Sequence, residues 1–263
     1  MSRRFLLTGF AVAFSALLYS QAVPPQQAQM PPEQSQADQL QQLHLELEKD
    51  RKILQDWAEL ARYRDDNAKL NPPMGGEQRV VFMGDSITDG WGRSQDSKFF
   101  PGKPYINRGI SGQTTPQMLI RFRPDVIALQ PKTVVILAGT NDIAGNTGPE
   151  TLDQIEGNLE SMAQLAKANG IKVVLASVMP VCDYIKPQTA RRPPEKIVAL
   201  NAWIKDYCAR NGCVYLDYYS AMLDSKAMLK QSLTYDGLHP NKAGYQVMAP
   251  LAQKAIERAL GGS

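Results

Sequence analysis

The sequence is poor in the side chains that bind metal ions. Its 263 residues include 3 cysteines and 2 histidines, and no cluster of them has the spacing of a metal site. We therefore expect no metal and no cofactor. Cys208 and Cys213 flank a helix-to-strand turn and could form a disulfide, which would leave Cys182 as a free thiol. The sequence leaves that pairing open.

The sequence also lacks a strong excess of charge. Lys and Arg number 29 against 26 Asp and Glu, which gives a formal net charge of +3. Two of the positive charges, Arg3 and Arg4, lie at the very start. No basic stripe stands out elsewhere, so neither a nucleic acid nor an anionic membrane surface is an expected partner.

Long apolar runs are missing except at the start, where residues 5–19 follow Arg3 and Arg4. This run is shorter than the ~20 residues of a membrane span, and Ser20-Gln21-Ala22 fits a small-x-small cleavage site. We predict a signal peptide over 1–22, export to the periplasm or the medium, and no stable membrane insertion after cleavage. An uncleaved N-terminal anchor is the alternative.

Residues 23–37 are rich in Pro and Gln, which is typical of an unfolded linker. Leucines then recur at three- and four-residue spacing, which predicts an N-terminal helix within 38–71. Such an apolar stripe either docks on the chain's own domain or mediates self-association as a short coiled coil. The catalytic domain is expected over 77–262.

From residue 79 onward, predicted strands alternate with predicted helices. Apolar strands are expected near 79–84, 105–107, 133–138, 171–176 and 214–217, and helices near 117–129, 152–168, 195–211 and 242–260. This alternation predicts an α/β fold with three layers, in which helices cover both faces of a mainly parallel, flavodoxin-like sheet of five strands. Functional residues of such folds gather at the carboxyl ends of the strands.

Ser86 lies in Gly84-Asp85-Ser86-Ile87-Thr88, directly after the first predicted strand. A serine at this junction is a candidate nucleophile, because the sharp turn exposes its hydroxyl and frees backbone N–H groups to face a negative charge. The alternative is a simple helix cap. Asp85, Asp89 and Asp142 are expected to order the turns near this position.

Asp236 and His239 supply a carboxylate and an imidazole three residues apart near the far end of the chain. The other histidine, His44, precedes the globular part, so His239 is the candidate base for Ser86. Serine needs such a base, and the base needs a partner that fixes its tautomer. The alternative is that this pair only caps and packs the last helix.

Two further segments follow predicted strands. Gly112 lies in a glycine-punctuated turn over 107–115, and Asn141 lies in Gly139-Thr140-Asn141-Asp142. The N–H groups of Ser86 and Gly112 and the side-chain amide of Asn141 are candidate donors to the oxyanion of a tetrahedral intermediate.

These four blocks resemble those of the GDSL, or SGNH, hydrolase superfamily from about residue 80 to the last helix. The resemblance implies Ser86 as nucleophile, His239 as base, Asp236 as the residue that orients it, and Gly112 and Asn141 as oxyanion donors. The block at 109–115 is similar to that of platelet-activating-factor acetylhydrolases and bacterial lysophospholipase-like esterases.

The proline-rich segment 179–194 leaves a strand end on the side of the site. Segments of this length are often functional, and we expect Tyr184, Arg191 or Arg192 to face the substrate. Solvated arginines on a surface excursion are the alternative.

The expected function is hydrolysis of carboxylic esters, including glycan esters, with short acyl groups such as acetyl. A lysophospholipase or thioesterase acting on longer chains is one alternative. A non-catalytic binding protein of the cell envelope, built on a hydrolase fold, is the other.

Overall fold

The computed structural model describes residues 36–93 and 98–262. The predicted signal peptide (1–22) and nearly all of the predicted linker (23–37) lie outside the described residues.

The chain divides into two units, 1–49 and 50–263. Helix α1, Gln36–Gln55, begins in the first unit, and its leucines Leu40, Leu43 and Leu47 are exposed. Docking and self-association of this stripe both stay predictions.

The second unit contains a five-stranded sheet in the order β2-β1-β3-β4-β5, and every neighbouring pair of strands is parallel. This confirms the predicted fold class. The strands are β1 (Val80–Gly84), β2 (Tyr105–Gly109), β3 (Thr133–Leu137), β4 (Lys172–Ala176) and β5 (Val214–Leu216).

Helices cover both faces of the sheet, as predicted. They are α2 (Arg64–Ala68), α3 (Ser86–Asp89), α4 (Thr115–Asp125), α5 (Thr140–Ile143), α6 (Leu152–Ala168), α7 (Pro194–Asn211), α8 (Tyr218–Met222) and α9 (Lys242–Ala259), with 3-10 turns at Ile127–Leu129 and Gln231–Leu233. Side chains of α4, α6 and α7 join one core, and those of α8 and α9 join the other. No helix within 36–93 or 98–262 has the length and apolarity to cross a bilayer.

Strand β1 is buried on both faces, which is why it consists almost entirely of apolar residues. Its alternate residues divide between the two cores. Val81 and Met83 contribute to the core under α4, α6 and α7, whereas Val80 and Phe82 contribute to the core under α8 and α9. The sheet is therefore anchored from both sides.

Local hydrogen bonds set the ends of the long helices. Thr151 and Gln154 form a reciprocal capping box at the start of α6, and the Asn241 side chain accepts from the Gly244 N–H at the start of α9. Gly212, with φ of 64°, ends α7 in the left-handed conformation that favours glycine.

The chain after α1 follows a different course from the continuous helix that its leucine spacing predicts. Helix α1 ends at Gln55, and the Asp56 carboxylate then accepts from the N–H groups of Leu60 (2.7 Å) and Ala61 (2.9 Å). This carboxylate stabilises a non-helical turn where the helix would otherwise continue, with Glu59 in the left-handed region at φ 54°.

Cys208 and Cys213, whose pairing the sequence left open, are free thiols.

Residues 56–76 form a strap along the α/β domain. The side chains of Gln113 and Gln117 donate to the carbonyls of Ala58 (2.9 Å) and Trp57 (2.6 Å), and the Tyr63 hydroxyl donates to the Gly109 carbonyl. The strap therefore bonds to the end of β2 and to the turn that follows it.

Gly109→Ala is expected to lower the free energy of unfolding by about 3 kcal/mol, because a Cβ there would overlap the backbone of Thr88 and Asp89. Gly157→Ala on α6 is the matched control: a Cβ there meets nothing within 4 Å, and alanine should raise the stability by ~0.5 to 1 kcal/mol. Urea denaturation of both variants measures the difference. Equal stabilities of the two variants would contradict this account of the β2–α3 contact.

Candidate active site

Ser86 is the first residue of α3 and follows β1 after a single residue, Asp85. The Asp85 carboxylate accepts from the Ile87 N–H at 2.9 Å, so it caps this short helix, which agrees with the turn-ordering role expected for it. The serine is half-buried. The junction thus presents a hydroxyl at the carboxyl edge of the sheet.

The structure brings His239 to Ser86 from a position 153 residues later in the chain. The serine Oγ and the histidine Nε2 are 2.9 Å apart. The other ring nitrogen, Nδ1, lies 2.7 Å from Asp236 Oδ2. The three side chains form a continuous hydrogen-bonded row, the arrangement in which a histidine can remove a proton from a serine.

Asp236 fixes both the backbone and the ring of the histidine. Its Oδ1 accepts from the N–H groups of Leu238 (3.0 Å) and His239 (2.8 Å), while its Oδ2 contacts the ring. Burial alone would raise the pKa of Asp236, but the hydrogen bonds from His239 and Leu238 outweigh burial and hold the pKa below its usual value. Asp236 therefore stays a carboxylate that can stabilise an imidazolium.

The turn that carries this pair is itself held in place. The Thr234 hydroxyl donates to the His239 carbonyl at 2.7 Å, and Tyr235 stacks on the His239 ring with centroids 5.8 Å apart. Gly237 has φ of 91°, and a Cβ there would overlap the Cys182 carbonyl. Only glycine suits this position without a shift of the neighbouring backbone.

The Asn141 amide and the turn of Gly112 are joined by a hydrogen bond. Asn141 Nδ2 donates to the Gln113 carbonyl at 3.0 Å, which occupies one amide proton and leaves the other available. Gly112 has φ of 83°. Within the described residues no protein group accepts the N–H of Ser86 or Gly112. These donors follow three strands whose ends pair in register, at Gly84, Gly109 and Leu137.

Arg121, which the sequence analysis did not single out, lies beneath this edge and is fully buried. Its guanidinium donates to the carbonyls of Gly84 (3.0 Å) and Arg108 (2.9 Å) and to Gln113 Oε1 (2.5 Å), and it pairs with Asp125 at 3.1 Å. The one sequence signal for a buried role of Arg121 is its position among the apolar residues of α4.

The three predicted substrate contacts lie in different surroundings. The Arg192 guanidinium is buried behind Asn141 and donates to Thr140 Oγ1 at 3.1 Å and to Asn141 Oδ1 at 3.5 Å. Arg191 is exposed and contributes to the wall of a cleft. The Tyr184 hydroxyl donates to Asp224 at 2.6 Å, and Tyr184 does not line that cleft.

The cleft has a volume of about 660 Å³ and opens at Gly112. Its walls are the strap at Asp56, Trp57 and Glu59, the turn at 111–113, and the loop at 145–147. Among the described residues, the cleft included, no three His, Cys, Asp or Glu side chains gather closely enough to hold a metal ion.

Two buried carboxyl groups flank the site. Burial raises the pKa of Asp85 to about 6, and its Oδ2 has no hydrogen-bond partner among the described residues. Burial also raises the pKa of Asp142, whose Oδ1 accepts from the Thr115 N–H at 2.7 Å and so orders the start of α4. Asp89 accepts from the Ser111 hydroxyl at 2.6 Å.

Comparison with known families adds to this geometry. Residues 82–247 match the GDSL-like Lipase/Acylhydrolase family, a span that includes all five predicted catalytic and oxyanion positions. The chain belongs to this family. As a GDSL-like acylhydrolase it is a carboxylic ester hydrolase, which confirms the expected enzyme class and leaves no support for a purely binding role.

Among its relatives, a crystal structure of a GDSL-like lipase from Bacteroides thetaiotaomicron is 47% identical, covers 77% of this chain and 98% of its own, and superposes with a TM-score of 0.72. An acetylxylan esterase of Geobacillus stearothermophilus is 24% identical over 72% of this chain and 96% of its own length. An acetylxylan esterase of Xylanibacter ruminicola is 28% identical over 68% of this GDSL-like chain, which spans 43% of that longer esterase.

The buried charge next to the serine should make stability depend on pH. At pH 8 the folded protein holds Asp85 as a buried carboxylate, so Asp85→Asn should raise the free energy of unfolding by about 2 kcal/mol relative to wild type. As the pH falls through 6 toward 3.8, folded wild type takes up the proton and recovers this stability, so the difference should vanish near pH 4.

Urea denaturation at pH 8, 6 and 4 measures this difference. Asp206→Asn serves as the control, because Asp206 is exposed and its pair with Arg210 should contribute little at any pH. A difference between wild type and Asp85→Asn that does not change with pH would refute the assignment.

Proposed function

We propose that this acylhydrolase is a serine esterase in which Ser86 is the nucleophile. The observation that carries the proposal is the row of hydrogen bonds from the Ser86 hydroxyl through His239 to Asp236. The serine Oγ attacks the ester carbonyl carbon while His239 Nε2 takes the hydroxyl proton. Asp236 keeps the ring in the required tautomer and stabilises the imidazolium.

Collapse of the tetrahedral intermediate breaks the bond to the alcohol, which leaves with the proton from His239. Water then attacks the acyl-enzyme, His239 takes a proton from that water, and the proton returns to Ser86 as the carboxylic acid departs. During both steps the carbonyl oxygen bears negative charge, which the N–H groups of Ser86 and Gly112 and the free Asn141 amide proton stabilise.

Arg192 acts in this scheme by positioning Asn141. Its buried guanidinium contacts the Asn141 oxygen and therefore orients the amide that faces the oxyanion. Arg191 remains the candidate among the predicted loop residues for direct contact with substrate, since it lines the cleft at Gly112. The proposed contact of Tyr184 has no comparable support.

The substrate is proposed to be an ester of a short acyl group, such as acetyl, on a sugar or small alcohol. The part of the chain that the structure describes contributes no aliphatic side chain to the lining of the cleft at Gly112. This lining disfavours a long acyl chain, because such a chain needs apolar walls. The similarity to acetylxylan esterases supports the same substrate class. We further propose export through the signal peptide at 1–22.

Hydrolysis of p-nitrophenyl esters from acetate to palmitate tests the mechanism and the acyl preference together. The full chain should prefer acetate, and Ser86→Ala and His239→Ala should each lower kcat at least ~10⁴-fold. Full activity in Ser86→Ala would refute the serine mechanism. An optimum at palmitate would replace the short-acyl proposal with the lysophospholipase or thioesterase alternative.

Asn141→Ala tests the oxyanion role separately. Loss of one donor that acts mainly in the transition state should lower kcat for p-nitrophenyl acetate by roughly 10²- to 10³-fold with little change in KM. Asn169→Ala is a matched control, because Asn169 is exposed at the end of α6 and its side chain donates to the Leu165 carbonyl, away from the site. A change in KM alone would show that Asn141 acts in ground-state binding instead.

A further inference from the structure

The cleft beside Gly112 is far larger than the proposed acyl group requires. Cavities of roughly 300 to 1,000 Å³ enclose ligands of drug size, and this one has about 660 Å³. An acetyl group fills a small part of that volume. The alcohol of the ester is therefore the part of the substrate that is large enough to occupy the cleft.

The lining of the cleft suits a polar ligand with one flat apolar face. Among the described residues that line it, Trp57 is the single aromatic one, and Leu, Ile, Val, Met and Phe are absent. Trp57 is half-buried, so part of the indole ring remains available for contact. An indole offers a broad apolar surface on which a ring can stack.

The cleft contains two acidic residues, Asp56 and Glu59, and one basic residue, Arg191. Arg191 uses Nη2 for the Ala144 carbonyl and the Asn146 side chain, and its other N–H groups remain available. The Glu59 carboxylate has no hydrogen-bond partner among the described residues, whereas both Asp56 oxygens accept from backbone N–H groups. A neutral ligand rich in hydroxyls can donate to the carboxylate and accept from the guanidinium, but an anion would meet two acidic residues.

The strap that carries Trp57 and Glu59 is held in place by the rest of its domain. Glu59 has a left-handed backbone with φ of 54°, a conformation that is unfavourable for glutamate and often marks a functional position. The strap is held there because Gln113 and Gln117 donate to the carbonyls of Ala58 and Trp57. Trp57 and Glu59 thus face the cleft on a backbone that the catalytic domain itself fixes.

We propose that this cleft binds the sugar chain of an O-acetylated oligosaccharide next to the acetylated unit. Trp57 stacks on a sugar ring, and Glu59 and Arg191 hydrogen-bond its hydroxyls. This inference rests on the proposed function, because it assigns the alcohol part of the ester cleaved at Ser86. It adds a binding site in which Trp57 and Glu59 precede the family-matched span and Arg191 lies within it.

The test compares two acetyl esters, p-nitrophenyl acetate and acetylated xylotetraose. Trp57→Ala should lower the ratio of kcat/KM for the oligosaccharide to that for p-nitrophenyl acetate by about tenfold, since only the oligosaccharide reaches the indole. Glu59→Gln should lower the same ratio, mainly through a higher KM. Trp57→Phe keeps an aromatic face and should retain the ratio within about twofold.

Trp203→Ala is the matched control for loss of a half-buried tryptophan, because Trp203 stacks on Tyr207 in α7 and does not line the cleft. It should leave the ratio unchanged. Binding of unacetylated xylotetraose to Ser86→Ala protein, measured by calorimetry, should weaken when Trp57→Ala is added. This second readout does not depend on turnover.

The outcomes separate the two proposals. An unchanged ratio in Trp57→Ala, or hydrolysis of p-nitrophenyl acetate without hydrolysis of the oligosaccharide, would overturn the sugar site while the esterase stands. Wild-type protein that hydrolyses neither ester would overturn the proposed function itself.

Discussion

The geometry of the site depends on the hydrogen bonds and the ion pair that the buried Arg121 guanidinium makes. It donates to the carbonyls of Gly84, the last residue of β1, and of Arg108, the last but one of β2, and to the side chain of Gln113 in the following turn. Burial of a charge costs several kcal/mol unless it is paired and hydrogen-bonded. Asp125 supplies the pairing, and the strand ends supply the acceptors. Because those ends carry Ser86 and the turn of Gly112, one cation sets their relative positions.

The same network reaches outward to the strap. Gln113 receives Arg121 on its side-chain oxygen and donates from its side-chain nitrogen to Ala58. The buried side-chain amide of Gln113 therefore connects the strap to Arg121 and, through Arg121, to the ends of β1 and β2. Family membership is shown by residues 82–247, whereas this wall lies before them. A shared frame can serve different alcohols when a segment outside it forms the wall.

The sequence predicted the strands, the long helices and the residues that meet at the sheet edge, because apolar periodicity and strand-end position carry that information. It did not predict Arg121 or Trp57. Local patterns do not reveal which polar side chain of α4 faces inward, nor that Asp56 ends a helix whose leucine spacing continues. The inward position of Arg121 depends on a contact with Gly84, 37 positions away, and the place of Trp57 depends on Gln117, 60 positions away. Only the folded chain specifies such contacts.

Hydrogen-bond donors without an acceptor lie at the edge of the sheet that carries Ser86. Buried polar groups are normally paired, and several groups of the site are: Asp236 uses both oxygens, Arg192 contacts the amide oxygen of Asn141, and the Gln113 carbonyl accepts one amide proton. Among the described residues, the groups left open include Asp85 Oδ2, the second amide proton of Asn141, and the N–H groups of Ser86 and Gly112. Donors that are fixed and unsatisfied before substrate arrives need no reorganisation when charge develops on the carbonyl oxygen, so the three open donors suit the role that the proposed chemistry gives them.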